Sequence, residues 1–346
     1  MNTPAAPDGA VAAEARARAW IDRQLITAGW AVQDFAQLNL FAPEQGVAVR
    51  EVTMKPGHGR ADYLLYVDRK VVGVIEAKPE GTTLAGVEWQ SGMYASGLQE
   101  AQAKRAVTTG ERLPFVFESS GAETFFTNGF DPDPRARRLF SFPQPSTLAQ
   151  ILRDAEEDPA HPTWRGKVRH MPELDEAPLR PAQITAIRGV ERSLAGQHHD
   201  RSLVQMATGA GKTYTAVTSA YRLLTYGGFR RVLFLVDRNN LAEQTIAEFQ
   251  NYRVPGDGRR FTELYGVDKL TGGGMLGSSN VVVSTIQRVY KTLNDGEVTA
   301  DDDPGLDEFV PDSPVTVSYS RHLPPEAFDL VIVDEYSDAN RTVGSV

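Results

Sequence analysis

Two groups of residues in this chain have the types and spacing for chemistry on phosphate. The first is Asp62, Glu76 and Lys78. Side chains alternate along a strand, so Glu76 and Lys78 share one face. Asp62 lies fourteen residues before Glu76, on what the pattern predicts to be the paired strand. Asp62 and Glu76 can then converge across a hairpin on Mg²⁺, with Lys78 beside them. This suits phosphodiester hydrolysis, because the metal neutralises the scissile phosphate and lowers the pKa of bound water. Lys78 would orient that water or stabilise the developing charge. A plain charged hairpin edge fits the same spacing. Against it, Glu76-Ala77-Lys78 ends an otherwise apolar strand, where charge is costly without a partner or a metal.

The second group is Met206-Ala207-Thr208-Gly209-Ala210-Gly211-Lys212-Thr213, between an apolar strand pattern and a helical pattern from Thr215 to Leu224. That is the frame a phosphate-binding loop requires. Gly209 and Gly211 let backbone N–H groups approach phosphate oxygens, and the helix N-terminus adds partial positive charge. Lys212 supplies a full charge and Thr213 a ligand for Mg²⁺. Met206 stands where the general pattern has Gly. A metal-holding carboxylate is needed on a neighbouring strand, and the run Asp329 to Val333 delivers Asp334 at a strand end. Asp334 would hold Mg²⁺ and Glu335 would polarise the attacking water.

The elements that must position these groups are partly visible. Trp20, Ile21, Leu25 and Ile26 recur at helical spacing, and Gly29 is a stop. Ala61–Val67 and Val71–Glu76 predict two strands around the turn Asp68-Arg69-Lys70. A helix is expected over about 84–104, then short strands at Pro114–Phe117 and Thr124–Thr127. Prolines punctuate 131–178, which predicts a linker with one short helix around 147–156. From about 179, strands at 202–206, 231–236, 280–284 and 329–333 alternate with helices and are apolar on both faces, as in a covered parallel sheet. The expected organisation is a flexible tail (1–13), a first domain (14–130), the linker (131–178), an α/β lobe (179–335) carrying an acidic insertion (294–327), and a tail (336–346).

Composition sets the bounds. The 346 residues allow about two domains, and 41% hydrophobic with 23% charged residues excludes a disordered or fibrous chain. No apolar run approaches the ~20 residues that cross a bilayer, and the first nineteen residues lack a secretory h-region. The absence of cysteine excludes disulfide scaffolds and thiolate metal sites and fits a cytoplasmic protein. The net charge of −9 argues at first against nucleic acid, but eight acidic residues and no basic ones fall between Asn294 and Asp312. The rest is near neutral and has room for a basic groove, with Arg50, Lys55, Arg60, Arg135, Arg137 and Arg138 as candidates or as scattered solvated charge. His198-His199 lacks further ligands nearby and is expected to be solvated.

Thr208–Thr213, Val232–Arg238, Ser284-Thr285-Ile286-Gln287 and Asp334-Glu335 resemble motifs I, Ia, Ib and II of superfamily-two helicases and translocases. Leu179-Arg180-Pro181-Ala182-Gln183 resembles their adenine-reading motif. The resemblance implies one RecA-like P-loop lobe, with Gln183 on the adenine edge and Arg238, Thr285 and Gln287 near the nucleic-acid backbone. Asp62 with Glu76-Ala77-Lys78 resembles the centre of the PD-(D/E)xK restriction-endonuclease-like fold, with Ala61 in place of the Pro. Glu14 is then either a further metal-site carboxylate or a solvated helix position. Gln90 and Tyr94, four apart on one helix face, resemble the supporting motif of type I restriction nucleases or are plain packing.

A nuclease before a motor lobe is similar to the restriction (R) subunit of type I restriction-modification enzymes, and the domain order disfavours the type III subunits. The resemblance implies Mg²⁺ and ATP as cofactors, translocation of double-stranded DNA, cleavage away from the recognition site, and assembly with modification and specificity subunits. The alternatives are another nuclease–helicase of repair or phage defence, or an inactive truncated remnant that binds ATP, DNA or partners without turnover. The residues after Glu335, Tyr336 to Val346, depart from the family. The His that follows its Asp-Glu is absent, as is a second motor lobe, so weak Mg-ATP binding and negligible hydrolysis are expected of these 346 residues.

Overall fold

The computed structural model describes residues 7–79, 94–197, 199–256, 258–270, 277–295, 319–320 and 323–334. It divides into two compact units, 1–162 and 163–346, each a mixture of helices and sheet.

The first unit opens with helix α1 (Pro7–Thr27), so residues expected to form a tail already belong to a helix. Its buried stripe is Ala17, Ile21 and Leu25, while Trp20 and Ile26 face outward. Gly29 ends it at φ +94, a conformation that costs glycine little. Seven strands follow in sequential order, β1 (Ala31–Asp34), β2 (Gly46–Thr53), β3 (Arg60–Val67), β4 (Lys70–Ala77), β5 (Phe115–Ser119), β6 (Thr124–Asn128) and β7 (Arg137–Leu139). The β3–β4 hairpin is tighter than expected. Only Asp68 and Arg69 turn the chain, both at positive φ, as a two-residue hairpin turn requires. The β4–β5 pair is parallel and places Glu76 opposite Glu118. Helical residues 94–97 and Glu100–Ala103 fall within the predicted helix over 84–104, separated by the extended cap Gln99; residues 80–93 lie outside those described.

The stretch 131–178 is not a linker. Its residues Arg137–Leu139 add the edge strand β7, and Pro145–Glu157 forms a helix burying Leu148, Ala149 and Leu152. Trp164–Arg169 is a helix of the second unit, where Trp164 meets the Phe229 ring edge-on at 5.3 Å. Pro145 opens the first of these helices, where its missing N–H costs nothing.

The second unit holds a four-stranded, all-parallel sheet in the order β11-β8-β10-β9, from β8 (Val232–Val236), β9 (Val267–Lys269), β10 (Val281–Thr285) and β11 (Leu330–Val333). Helices Lys212–Thr225 and Asn239–Asn251 bury Val217, Ala220, Leu223, Ala242 and Phe249 against it. This parallel sheet fits a RecA-like lobe. The expected strand at 202–206 does not form, and Leu203 is 85% exposed. An apolar run becomes a strand only where a neighbour takes its hydrogen bonds, and among the described residues β11 pairs with β8 alone. Most of the acidic stretch 294–327 lies outside the described residues. No helix among the described residues is long and apolar enough to cross a membrane.

Candidate active site

In the first unit, β3 and β4 bring the predicted carboxylates together. The rung after Tyr63↔Ile75 sets Asp62 across from Glu76. The Ala77 backbone N–H donates to Asp62 Oδ2 at 2.9 Å, tying the acid to the opposite strand. The Lys78 ammonium donates to Glu76 Oε1, and the Tyr94 hydroxyl donates to Glu76 Oε2 at 3.5 Å. Burial pushes the Tyr94 hydroxyl well above the usual phenol range, and the negative fields of Glu76, Asp62 and Glu118 add to the rise. Tyr94 contacts Glu76 directly and lies within the electrostatic reach of Asp62 and Glu118. Gln90 lies outside the described residues.

Two further residues belong to this cluster. Arg18 of α1 donates to Asp62 Oδ1 and Glu14 Oε1, both at 2.6 Å, and to Glu51 Oε1 at 3.1 Å. Glu14 thus reaches Asp62 through a guanidinium. Glu51 falls in the gap of the β2–β3 ladder between Arg50↔Tyr63 and Val52↔Ala61 and holds φ +55, strained for a non-glycine residue. Glu118 of β5 is only 3% exposed, and its Oε2 has no hydrogen-bond partner. Burial raises its pKa, the Glu76 charge raises it further, and Lys78 acts in the opposite direction. The sequence signal for Glu118 is a carboxylate directly after the apolar run Phe115-Val116-Phe117. Among the described residues no three His, Cys, Asp or Glu side chains stand close enough together to hold a metal ion. The carboxylates are engaged by Arg18, Ala77, Lys78 and Tyr94 instead.

The basic candidates are largely neutralised. Arg50 pairs with Asp22 and Asp34, Arg60 with Glu51, Arg137 with Asp131, and Arg138 with Glu123. His199 meets Ser193 Oγ at 3.2 Å, and His198 is outside the described residues.

In the second unit, Gly209 and Gly211 both adopt positive φ, +76 and +85, and Gly211 caps the helix that begins at Lys212. Thr208, Ala210, Lys212 and Thr213 surround that bend. The Thr213 hydroxyl donates to Asp334 Oδ2 at 3.4 Å, so the metal-type pair meets. The Asp334 N–H donates to the Leu235 carbonyl and fixes the end of β11. Glu335 lies outside the described residues. Gln183 is 5% exposed and braces the loop, donating to the Gly211 carbonyl at 3.3 Å and accepting from the Arg180 N–H at 2.8 Å. Arg180, unmarked by the motif reading, also donates to the Gly209 carbonyl at 3.1 Å.

The three residues assigned to nucleic acid differ among themselves. Arg238 is exposed at the start of helix Asn239–Asn251, near Asp237. Thr285 is buried, and its Oγ1 accepts the Arg288 N–H at 3.3 Å, so it caps a helix and does not face solvent. Gln287 holds a buried Oε1 without a partner.

One unit thus presents a hairpin with paired carboxylates, and the other a glycine loop whose Thr213 meets an aspartate. The family model described as the EcoKI endonuclease subunit second domain of type I restriction enzymes matches residues 34–128, and the model described as the type III restriction enzyme res subunit matches residues 176–341. The chain is 26% identical to the type I restriction enzyme EcoKI endonuclease subunit of Escherichia coli K12, over 93% of this chain and 28% of that relative. It is 28% identical to the EcoAI endonuclease subunit of Escherichia coli, over 38% of this chain and 17% of that relative. A solved HsdR-subunit fragment from Vibrio vulnificus is 23% identical and covers 93% of this chain and 51% of that chain, at a TM-score of 0.30, too low to bear on the fold. The chain thus spans less than a third of the length of these curated relatives. Over most of its length it is similar to the endonuclease subunits of type I restriction enzymes.

Proposed function

We propose that the first unit is a PD-(D/E)xK-type nuclease centre and the second an ATP-using motor lobe. Together they serve Mg²⁺-dependent cleavage of double-stranded DNA coupled to ATP-driven translocation, in assembly with modification and specificity subunits. The observation that supports this reading is the placement of Asp62 and Glu76 on the paired strands β3 and β4, with Asp62 bonded to the Ala77 N–H and Lys78, just past β4, bonded to Glu76. The donor set fits Mg²⁺, which takes one or two carboxylates and keeps several waters. Asp62 and Glu76 would hold the ion. When bound, Mg²⁺ neutralises the scissile phosphate and makes a bound water more acidic. The Ala77 N–H orients Asp62, Tyr94 orients Glu76, and the Lys78 ammonium is at hand to align water or meet developing charge.

In the second unit, Gly209, Gly211 and Lys212 would cradle nucleotide phosphates, with Thr213 and Asp334 on the metal. Gln183 must leave its bond to the Gly211 carbonyl before it reads an adenine edge. Exposed Arg238 remains a candidate for the nucleic-acid backbone. The test is Asp62→Ala, Glu76→Ala and Lys78→Ala, each in the full-length subunit assembled with its partners. Each variant abolishes cleavage and leaves ATP hydrolysis intact. Loss of both activities together would make the cluster structural and refute the nuclease reading.

A further inference from the structure

A carboxylate that is almost fully buried costs free energy unless something compensates it. Glu118 is 3% exposed, and its Oε2 meets no donor. It is placed with purpose nonetheless. In the parallel β4–β5 ladder Glu118 is the lateral partner of Glu76, so both side chains leave the same face of the sheet. Both Glu76 and Lys78 act on it electrostatically. Lys78 is at present held by Glu76 Oε1. Its own backbone is anchored by the Lys78 N–H donating to the Ser119 carbonyl at 2.8 Å, next in sequence to Glu118. The ammonium thus sits on Glu76 at the end of a flexible stem whose backbone is tied to β5, within electrostatic reach of Glu118.

This creates a conflict that the nuclease reading must resolve. Glu76 cannot give the same oxygen to Lys78 and to a cation. We propose that Glu118 is the positioning residue that resolves it, receiving the Lys78 ammonium when Glu76 turns to a divalent cation. The inference rests on the nuclease reading and assigns Glu118 no direct contact with the ion. Lys78 then stays in the site, oriented by β5, and the buried Glu118 charge gains its partner only in the metal-loaded state.

The test is Mg²⁺ binding by calorimetry to the 346-residue chain, scored on the component that Asp62→Asn removes. Glu118→Gln weakens that component about tenfold, the size of a lost charged hydrogen bond. In a Lys78→Met background the same Glu118→Gln change weakens it less than about threefold, since no ammonium then needs a new partner. Equal losses in both backgrounds overturn the proposal, because Glu118 would then act on the ion itself. No loss in the Lys78 background overturns it too. If the wild-type chain has no Mg²⁺ component that Asp62→Asn removes, the nuclease reading fails along with it. A Mg²⁺-bound structure of the wild-type chain decides the matter without variants: Lys78 Nζ on Glu118 upholds the proposal, and Lys78 still on Glu76 refutes it.

Discussion

Replacing Arg18 by methionine should weaken the first unit and strengthen its hold on Mg²⁺ at the same time. The guanidinium contacts Asp62, Glu14 and Glu51, but the three pairs are unequal. Glu14 and Glu51 are 41% and 49% exposed, and ion pairs of that kind contribute about 0–1 kcal/mol. Asp62 is 17% exposed and bonded at 2.6 Å, the class of charged hydrogen bond worth about 1.5–3 kcal/mol. Methionine keeps most of the apolar stem, so the loss is about 2–3 kcal/mol in total. For a unit of this size that lowers the melting temperature by roughly 4–10 °C. The same change leaves Asp62, Glu14 and Glu51 without their shared cation and removes the competitor for Asp62 Oδ1. A divalent ion binding only the folded state adds RT ln(1 + [L]/Kd), about 2.7 kcal/mol at a hundredfold excess over Kd. Melting curves with and without Mg²⁺ should therefore show a larger Mg²⁺-induced rise for Arg18→Met than for the wild type. An equal or smaller rise in the variant would refute the view that Arg18 occupies the cation position. An unchanged melting temperature without Mg²⁺ would refute its structural weight.

Gly211→Ala forces a Cβ to within 2.5 Å of Gln183 Nε2 at a left-handed φ of +85. The strain of about 1 kcal/mol and the displaced amide should cut binding of a fluorescent ATP analogue about tenfold, and wild-type affinity would count against this loop geometry. Gly73→Ala sets a Cβ 2.2 Å from the Phe115 backbone oxygen, which cannot swing aside. It should cost more than about 3 kcal/mol in urea unfolding by prising β4 from β5, and a tolerated alanine would contradict the Gly73↔Phe115 pairing. Burial pushes Tyr66 up to about 12, and burial with its neighbour Tyr226 does the same for Tyr221. An unfolded phenol ionises near 10, so between about pH 10 and 12 the folded chain retains protons that the unfolded chain gives up, and stability falls as pH rises through that window. Tyrosinate absorbance in the folded chain should lag accordingly, and ionisation of every tyrosine near 10 before unfolding would refute it.

What the sequence reveals depends on how far apart the cooperating residues lie. The phosphate loop is contiguous, so Gly209, Gly211 and Thr213 are legible as a string, and the left-handed bends at both glycines follow from residue type. Asp62 and Glu76 are one hairpin apart, and the two-residue turn at Asp68-Arg69 puts them across from each other. Distant pairings defeat the same reasoning. Arg50, Arg60, Arg137 and Arg138 look like groove material until Asp22, Asp34, Glu51, Asp131 and Glu123 claim them. Thr285 matches a motif, yet the adjoining helix takes its hydroxyl. Residues 202–206 have the composition of a strand, but composition supplies no neighbour.

Glu118 is the instructive case, because its signal was present and local. The argument that singles out Glu76, a charge at the end of an apolar strand, applies with more force to a glutamate following Phe115-Val116-Phe117. Burial of that side chain is decided by the strand it sits in, but its purpose is decided by the register with β4, set by a crossover of nearly forty residues. A buried charge in a short aromatic strand is thus enough to mark a residue for attention. Only the parallel pairing with Glu76, whose carboxylate holds Lys78, suggests the role proposed for it.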